Sequence, residues 1–236
     1  RFNTTSADAL MARVCLYMGK WDDALTASSA VIAKYPELED LTITGYTMPD
    51  LYTSKEAIVS LEQVMKSSYK GAGYPNVAFI NDFRTGDLRK NRYFKAQTSK
   101  IYSLLKGGDQ KSRSTFRSAE FYLTAAEAAA RLGKSQEAIS NITPIVSTRY
   151  MKALQETIIG EMEAMTQEQV VDAILSERSH ELCYEGHRWF DLRRTTQPRI
   201  EKEFDGLTFT LEHNDSRYTM PIPKAAISAN SKLSIE

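Results

Sequence analysis

The chain has 236 residues, of which 42% are hydrophobic and 25% charged, as in ordinary globular domains. Its 30 basic and 30 acidic side chains cancel at pH 7, which argues against nucleic acid or an anionic membrane surface as a partner. No run approaches the roughly 20 apolar residues of a transmembrane helix, and two cysteines cannot form a disulfide framework. The composition therefore indicates a globular protein with a core of its own.

An amphipathic helix is predicted at the start of the chain. Thr5 and Ser6 offer N-caps for it. Leu10, Val14 and Met18 then recur every fourth residue, with Met11 and Cys15 beside them, so they share one apolar face of the helix. An apolar face of this kind is typical of a helix that packs against a core.

The next segment fits the second half of a tetratricopeptide-like helix pair. Gly19 ends the first helix, and the second runs from Trp21 to just before Pro36. A similar pattern returns at Gly133, which lies 133 − 19 = 114 residues beyond Gly19. Because a tandem array would repeat every 34 residues or so, we predict two separate helical hairpins with a long insertion between them.

The insertion spans about residues 37–116 and is rich in loops and aromatic side chains. Ala57–Leu61 is predicted to form a short strand. Exposed tyrosines would suit stacking on the C–H faces of sugar rings, with Asn, Asp and Arg nearby to bind the hydroxyl groups. The alternative is that most of these rings anchor the insertion onto the helices.

The last third of the chain begins with another helix and ends in an irregular tail. A capping box at Thr166–Gln169 predicts the start of the helix. Strand-like alternation surrounds Leu207 and Phe209, and Pro221 and Pro223 force an extended segment.

Two patterns imitate chemical sites. Gly133–Ser135 resembles the end of a phosphate-binding loop, but the required earlier glycine is Ala128, inside a predicted helix. His180, Cys183 and His187 fall near one helix face and could hold a metal ion. The preferred alternative places Cys183 in the core and the histidines on a polar helix edge. We therefore expect no metal and no cofactor.

Acidic and basic residues alternate through the same helix and beyond it. Their spacing indicates ion pairs within helices more than paired acid–base catalysts, so we expect that the protein is not an enzyme. The residues are Glu177, Glu181, Glu185 and Asp191, with Arg178, Arg188, Arg193 and Arg194.

Residues 174–194 read I-L-S-E-R-S-H-E-L-C-Y-E-G-H-R-W-F-D-L-R-R. This string closely resembles the C-terminal signature of SusD/RagB-type nutrient-binding proteins and departs from it at Ser179 and Cys183. Other family elements follow in the expected order: D-L-R at 87–89, R-S-A-E at 117–120 and P-I-P at 221–223.

The resemblance implies a mainly α fold with tetratricopeptide-like helical hairpins, a long loop-rich insertion and an irregular C-terminal tail. Residues 1–236 would be a single domain, the C-terminal part of a longer protein. The family consists of starch-binding-like lipoproteins exposed at the surface of the cell outer membrane. They capture oligosaccharides, or sometimes peptides, for a TonB-dependent, SusC-like transporter. The only membrane attachment would be a lipid anchor in the missing N-terminal part.

The signature itself is expected to be structural. Trp189 and Phe190 would pack, while the charged residues form a buried or half-buried network. Its expected members are Arg178, Glu181, Glu185, Arg188 and Asp191.

The expected ligand-binding residues are Tyr46, Tyr69, Tyr74 and Asn76, because they lie beside glycine and proline loop breaks. The function expected from the resemblance is capture of a glycan at the outer membrane. The alternative is a helical-repeat scaffold that binds a peptide or a protein.

Overall fold

The computed structural model describes residues 3–60, 74–107 and 113–230 of the chain. It divides into two compact units, Arg1–Gly186 and His187–Glu236. The fold is mainly α, as predicted. Among the residues described, no helix is long and apolar enough to cross a membrane.

The first predicted hairpin is present. Helix α1 spans Thr4–Tyr17 and helix α2 spans Trp21–Lys34, with Gly19 in the left-handed region between them at φ +70°. The N-cap of α1 is Asn3, whose Oδ1 accepts a hydrogen bond from the Ser6 backbone N–H over 2.9 Å. Ser6 completes the capping box, whereas Thr5 is not the cap.

The apolar face predicted for α1 is not the face that packs against the core of this unit. Leu10, Val14 and Met18 are exposed, together with Met11. Of the predicted face only Cys15 is buried, and the other buried apolar side chains of α1 are Ala9, Ala12 and Leu16. Alanines allow close approach of the neighbouring helices, so α1 packs its small-residue side against α2 and against the helix that follows the insertion.

The second predicted hairpin follows the insertion. Helix α5 (Ser118–Arg131) and helix α6 (Ser135–Arg149) flank Gly133, which takes φ +76° at the turn. The element before this turn is a helix, whereas a phosphate-binding loop follows a strand. Helix α5 is buried from Ser118 to Ala130 and packs against α2 and α6. It is therefore the central helix of this unit.

Two more helices extend the helical layer. Helix α7 spans Lys152–Glu163, and helix α8 spans Gln167–Glu181 behind the predicted capping box at Thr166. Helix α8 also packs against α5.

The insertion consists of short elements and loops. Strand β1 (Ala57–Ser60) pairs antiparallel with β4 (Ser114–Arg117), and β2 (Phe94–Ala96) with β3 (Tyr102–Leu104). The predicted strand at 57–61 is thus confirmed for its first four residues. Two short helices lie between these strands: α3 (Val77–Asp82) and α4 (Arg89–Tyr93).

Most rings of the insertion pack into one apolar cluster, which we call the aromatic cluster. Its buried members are Leu41, Ile80, Phe83, Tyr93, Phe94, Leu104 and Cys183, and its half-buried members include Tyr46, Phe79, Tyr102 and Tyr184. For the buried rings, Phe83, Tyr93 and Phe94, the anchoring interpretation is confirmed.

The unit His187–Glu236 holds helix α9 (Arg188–Arg194), a hairpin of β5 (Ile200–Phe204) and β6 (Leu207–Leu211), a 3₁₀ turn at Ser216–Tyr218, and helix α10 (Lys224–Ala229). The strand-like alternation around residues 204–211 thus belongs to a two-stranded antiparallel hairpin.

Gly86 and Gly45 offer a matched pair for measuring a packing restraint. Both take φ near +86°, but a Cβ on Gly86 would lie 2.2 Å from Leu154 Cδ1, whereas one on Gly45 meets nothing within 4 Å. We expect Gly45→Ala to lower the free energy of unfolding by about 1 kcal/mol. Gly86→Ala should cost about 1–3 kcal/mol more, because Leu154 must move within a packed core. Urea denaturation measures both, and equal losses would show that Leu154 moves freely.

Candidate functional site

A set of buried ions lies where the insertion meets the helices, and we call it the buried charge cluster. Its members are Glu56, Asp87, Arg89, Lys106, Arg117, Arg149, Glu177, Glu181 and Glu185. Glu181, the last residue of α8, lies at the centre. Its Oε1 is 2.7 Å from Arg117 Nη1 and 2.8 Å from Arg149 Nη2. Arg89 Nη1 lies 3.5 Å from Glu181 Oε2, so one carboxylate contacts three arginines.

Glu56 is the second shared carboxylate. Arg117 Nη1 lies 2.7 Å from Glu56 Oε2, and Arg149 Nη2 lies 2.6 Å from Glu56 Oε1. These three side chains are at most 1% exposed. Glu56 immediately precedes β1 and Arg117 ends β4, so these pairs fasten the first sheet of the insertion to α6.

Two arms extend from this centre. On one side, Arg89 Nη2 lies 2.6 Å from Asp87 Oδ2 and 2.7 Å from Glu177 Oε2. On the other side, Lys106 Nζ lies 2.5 Å from Glu185 Oε1. The D-L-R motif at 87–89, the arginine of R-S-A-E at 117–120 and the 174–194 string thus supply members of a single cluster.

The central ion pair of the cluster, Glu181 with Arg149, favours the charged forms of both groups. Burial alone would raise the pKa of Glu181, but the positive charges of Arg149 and Arg117 outweigh it and hold that pKa well below its ordinary value. Burial opposes the charge on Arg149 as well, yet Glu181 and Glu56 raise its pKa. A group that exchanges no proton near neutral pH is poorly suited to acid–base catalysis. The arrangement is suited to holding elements together.

The ion pairs predicted within the helix are wrong for Glu177 and Glu181. Glu177 and Glu181 bind side chains of distant elements, such as Arg89, which lies 88 residues before Glu177. Glu185 binds Arg117, 68 residues earlier. The physical reason is that these glutamates face the insertion, which offers several arginines, while neighbours three or four positions away lie along the helix surface.

Three other charged residues of the signature have different surroundings. Asp191 and Arg194 form the expected pair within α9, with Arg194 Nη2 2.9 Å from Asp191 Oδ1. Arg178 is buried, as expected, and its Nη1 lies 3.4 Å from Thr124 Oγ1. Arg188 was expected in the buried or half-buried network, but it is an exposed residue at the first position of α9.

The two aromatic residues of the signature also differ. Trp189 stacks on Tyr218, with ring centroids 5.1 Å apart, which confirms that it packs. Phe190 is 47% exposed, more than Trp189 at 36%.

His180 is not on a polar helix edge, which corrects the sequence-based interpretation. Its side chain is buried, its ring lies 4.2 Å from that of Phe83 between centroids, and its Nε2 lies 2.9 Å from Asp82 Oδ2. Burial lowers the pKa of His180. Cys183 lies in the aromatic cluster, which confirms it as a core residue. In the described parts of the chain, no three His, Cys, Asp or Glu side chains are grouped to hold a metal ion.

Tyr46 lies at the margin of the aromatic cluster. It is half-buried, and the guanidinium of Arg92 lies 5.0 Å from its ring centroid. Phe79 of α3 belongs to the same cluster, so Tyr46 and α3 share one apolar support. Sequence reasoning did not select Arg92, and nothing in its neighbourhood of the sequence marks it.

Tyr74 and Asn76 lie directly before α3. Tyr74 is 71% exposed and presents its ring to solvent. Asn76 is the N-cap of α3, and its Oδ1 accepts a hydrogen bond from the Ala78 backbone N–H over 2.8 Å. Its amide nitrogen carries two N–H donors, a type of group that suits the hydroxyl oxygens of a ligand. Tyr69 lies outside the described residues.

Aromatic and polar contacts hold helix α3 in place. Phe79 and Phe83 pack edge-on against Phe94, with centroids 6.3 Å and 5.8 Å away. The contact between Asp82 and His180 joins α3 to α8. Helix α8 therefore supports the segment that carries Tyr74 and Asn76, and it also supplies the centre of the buried charge cluster.

Proteins of known family share this fold. The chain is 34% identical over 124 residues to "SusD-like protein P38" of Formosa agariphila, an alignment that covers 52% of this chain and 24% of the relative. A solved SusD-like carbohydrate binding protein of Bacteroides vulgatus superposes with a TM-score of 0.70 at 19% identity, over 99% of this chain and 59% of its own. A SusD superfamily protein of Bacteroides fragilis gives 0.73 at 23% identity, over 98% and 56%.

The sequence match covers about a quarter of the first relative, and this chain spans less than three fifths of the two solved relatives. The model of the SusD family matches residues 48–234, which is most of the chain and includes the whole 174–194 string. On this match, the chain belongs to the SusD family.

Proposed function

We propose that this chain is the C-terminal part of a surface-exposed outer-membrane lipoprotein that captures oligosaccharide for a TonB-dependent, SusC-like transporter. It binds its ligand without catalysing a reaction. The observation that carries this proposal is the family match over residues 48–234. A relative of the same fold, described as a carbohydrate binding protein, supports the ligand class.

The surface around α3 is chemically suited to an uncharged sugar. Tyr74 offers an exposed ring for the C–H face of a sugar. Tyr46 and Arg92 offer a second ring with a guanidinium beside it, and Asn76 offers amide donors for hydroxyl groups. Tyr69 belongs to the proposed set by its position in the same loop region of the sequence. We propose these side chains as the contribution of this chain to the ligand site.

Calorimetric titration of the full-length polypeptide with a panel of neutral oligosaccharides tests the proposal. We expect Tyr74→Ala and Tyr46→Ala each to weaken binding of the cognate oligosaccharide about tenfold, and Asn76→Ala to weaken it less. Tyr46→Phe keeps the ring and should keep most of the affinity. Tyr52→Ala is the matched control, because Tyr52 is a 53% exposed tyrosine of the insertion outside the proposed set.

The outcomes separate the proposal from its alternative. Unchanged affinity in the Tyr46, Tyr69, Tyr74 and Asn76 variants would refute the proposed site while leaving carbohydrate binding intact. Binding of peptides and of no oligosaccharide in the panel would instead favour a peptide- or protein-binding helical scaffold.

A further inference from the structure

The hairpin of β5 and β6 has one apolar face and one polar face. Directly paired residues of two strands lie on the same face, and the face alternates along each strand. Lys202 pairs with Phe209 and Phe204 pairs with Leu207, so these four side chains share a face. Its three apolar members are 54–75% exposed. The opposite face carries the glutamates of β5 and the threonines of β6. Exposed apolar side chains grouped in this way mark an interaction surface.

The outer edge of β6 carries main-chain groups that do not bond to β5. The strands are joined by a two-residue turn at 205–206 with both residues at positive φ, so Phe204 and Leu207 form a hydrogen-bonded pair. Hydrogen-bonded and non-hydrogen-bonded pairs alternate along an antiparallel ladder. The main-chain N–H and C=O groups of Thr208 and Thr210 therefore point away from β5.

A contact of Arg217 agrees with this direction. Arg217 Nη2 donates a hydrogen bond to the Thr210 carbonyl over 2.9 Å, so that carbonyl lies on the outer edge. A carbonyl oxygen has two lone pairs and can accept a second hydrogen bond. The outer edge of β6 can thus bind a further strand through both Thr208 and Thr210.

The sequence of β6 is suited to pairing with itself. Residues 207–211 read L-T-F-T-L, which is the same in both directions. When two such strands pair antiparallel about their central residue, each residue faces one of its own type. The facing residues are Phe209 with Phe209, Leu207 with Leu211, and Thr208 with Thr210. The threonines then exchange their outward N–H and C=O groups, and the two Phe209 rings form a close pair on the apolar face.

Charge distinguishes the two edges of the hairpin. Glu201, Lys202 and Glu203 follow one another in β5. Pairing of β5 with itself about Lys202 would place lysine opposite lysine and glutamate opposite glutamate, which is unfavourable. Charged side chains of this kind protect an edge strand from association. Strand β6 carries no charge, so no like charges meet when it pairs with itself. The edge open to a second copy is therefore that of β6.

We propose that the outer edge of β6 is the contact of a symmetric dimer, in which β6 of one copy pairs antiparallel with β6 of a second copy about Phe209. The four strands form one sheet, and its apolar face carries Phe204, Leu207 and Phe209 of both copies. Because each copy uses the same surface, the assembly closes at two copies and does not continue into a filament.

Proline substitution at facing positions of the two strands tests the proposal in the full-length polypeptide. Thr208→Pro removes an outward N–H of β6, which the symmetric pairing uses in both copies. Glu203→Pro is the matched control, because it removes the outward N–H of the residue paired with Thr208, on the edge that the dimer does not use. Sedimentation velocity at several protein concentrations measures the dimer dissociation constant. We expect Thr208→Pro to raise it at least about tenfold and Glu203→Pro to leave it unchanged.

Three results of the sedimentation experiment would overturn the proposal. One is a polypeptide that stays monomeric up to about 0.1 mM, as it would if another part of the same polypeptide paired with β6. Another is an equal effect of Thr208→Pro and Glu203→Pro, which would place the contact elsewhere than on the edge of β6. The third is an assembly of more than two copies, which would indicate head-to-tail pairing of β5 with β6.

Disulfide trapping tests the position of the two-fold axis. Phe209→Cys places a thiol at the centre of the pairing, where Cα atoms of a non-hydrogen-bonded pair lie about 4.5 Å apart, within the span of a disulfide. Mild oxidation of the full-length polypeptide should then link two copies through position 209. Lys202→Cys is the control, since it lies on the same face of the hairpin but on the strand away from the second copy. Equal cross-linking at both positions, or none at position 209, would contradict the proposed pairing.

Discussion

Glu181→Ala is expected to lower the free energy of unfolding by about 3–5 kcal/mol, or to prevent folding altogether. The carboxylate of Glu181 contacts Arg89, Arg117 and Arg149, whose side chains are at most 1% exposed. Its removal leaves three guanidinium groups buried with too little negative charge, which costs more than the lost contacts themselves. Urea denaturation followed by circular dichroism measures the effect, with a lower midpoint and an unchanged slope as the expected result.

The matched control is Glu168→Ala, which removes an exposed glutamate from the first turn of the same helix. It should change the free energy of unfolding by no more than about 0.5 kcal/mol. Glu181→Gln keeps the shape of the side chain, so its loss in free energy of unfolding should lie between those of Glu168→Ala and Glu181→Ala. Small and equal losses in the Glu168 and Glu181 variants would contradict a stabilising role for the buried charge cluster.

Acidification is expected to unfold the protein steeply, starting below about pH 4.5. The arginines hold the folded-state pKa of Glu181 well below its ordinary value of 4.5. A carboxylate whose pKa is lowered by folding contributes stability that is complete above its unfolded-state pKa. That stability is lost as the pH falls toward the folded-state pKa, by up to about 1.4 kcal/mol for each pH unit. Urea midpoints between neutral pH and about pH 3 measure this dependence.

Salt distinguishes the buried cluster from surface ion pairs in this experiment. Arg84 and Glu161 form a bidentate pair, but their side chains are 42% and 45% exposed. In about 1 M NaCl the screening length shrinks to about 3 Å, which weakens exposed pairs and leaves buried ones largely intact. The steep loss below about pH 4.5 should therefore persist in high salt. If high salt abolished this loss of stability, the acid sensitivity would come from exposed ion pairs and not from the buried charge cluster.

The helical hairpins could be predicted because their signals are local. Gly19 and Gly133 both adopt positive φ at the turns where the sequence pattern places them. The packing side of α1 could not be predicted in the same way. Every-fourth-residue spacing identifies an apolar stripe, but α1 has two, and the alanine side packs because small side chains allow helices to approach closely. Periodicity alone does not distinguish two such sides.

The partners in the buried charge cluster could not be predicted from spacing either. Helical spacing predicts contacts between residues three or four positions apart, whereas Glu181 binds Arg149 and Arg117, 32 and 64 residues earlier. The motifs that resemble the SusD family were identified in order along the chain, yet their order does not show that they meet. The polar edge expected for His180 was wrong for the same reason, since its ring neighbour Phe83, which directly follows α3, is distant in the sequence.

The buried charge cluster also constrains when the chain can fold during its synthesis. Glu56 and Glu181 lie 181 − 56 = 125 residues apart, and Arg117 and Arg149 lie between them. A ribosome-bound chain that ends before α8 holds these arginines without their central carboxylate, and burying them is then unfavourable. The buried charge cluster can therefore be completed only after α8 has been synthesised.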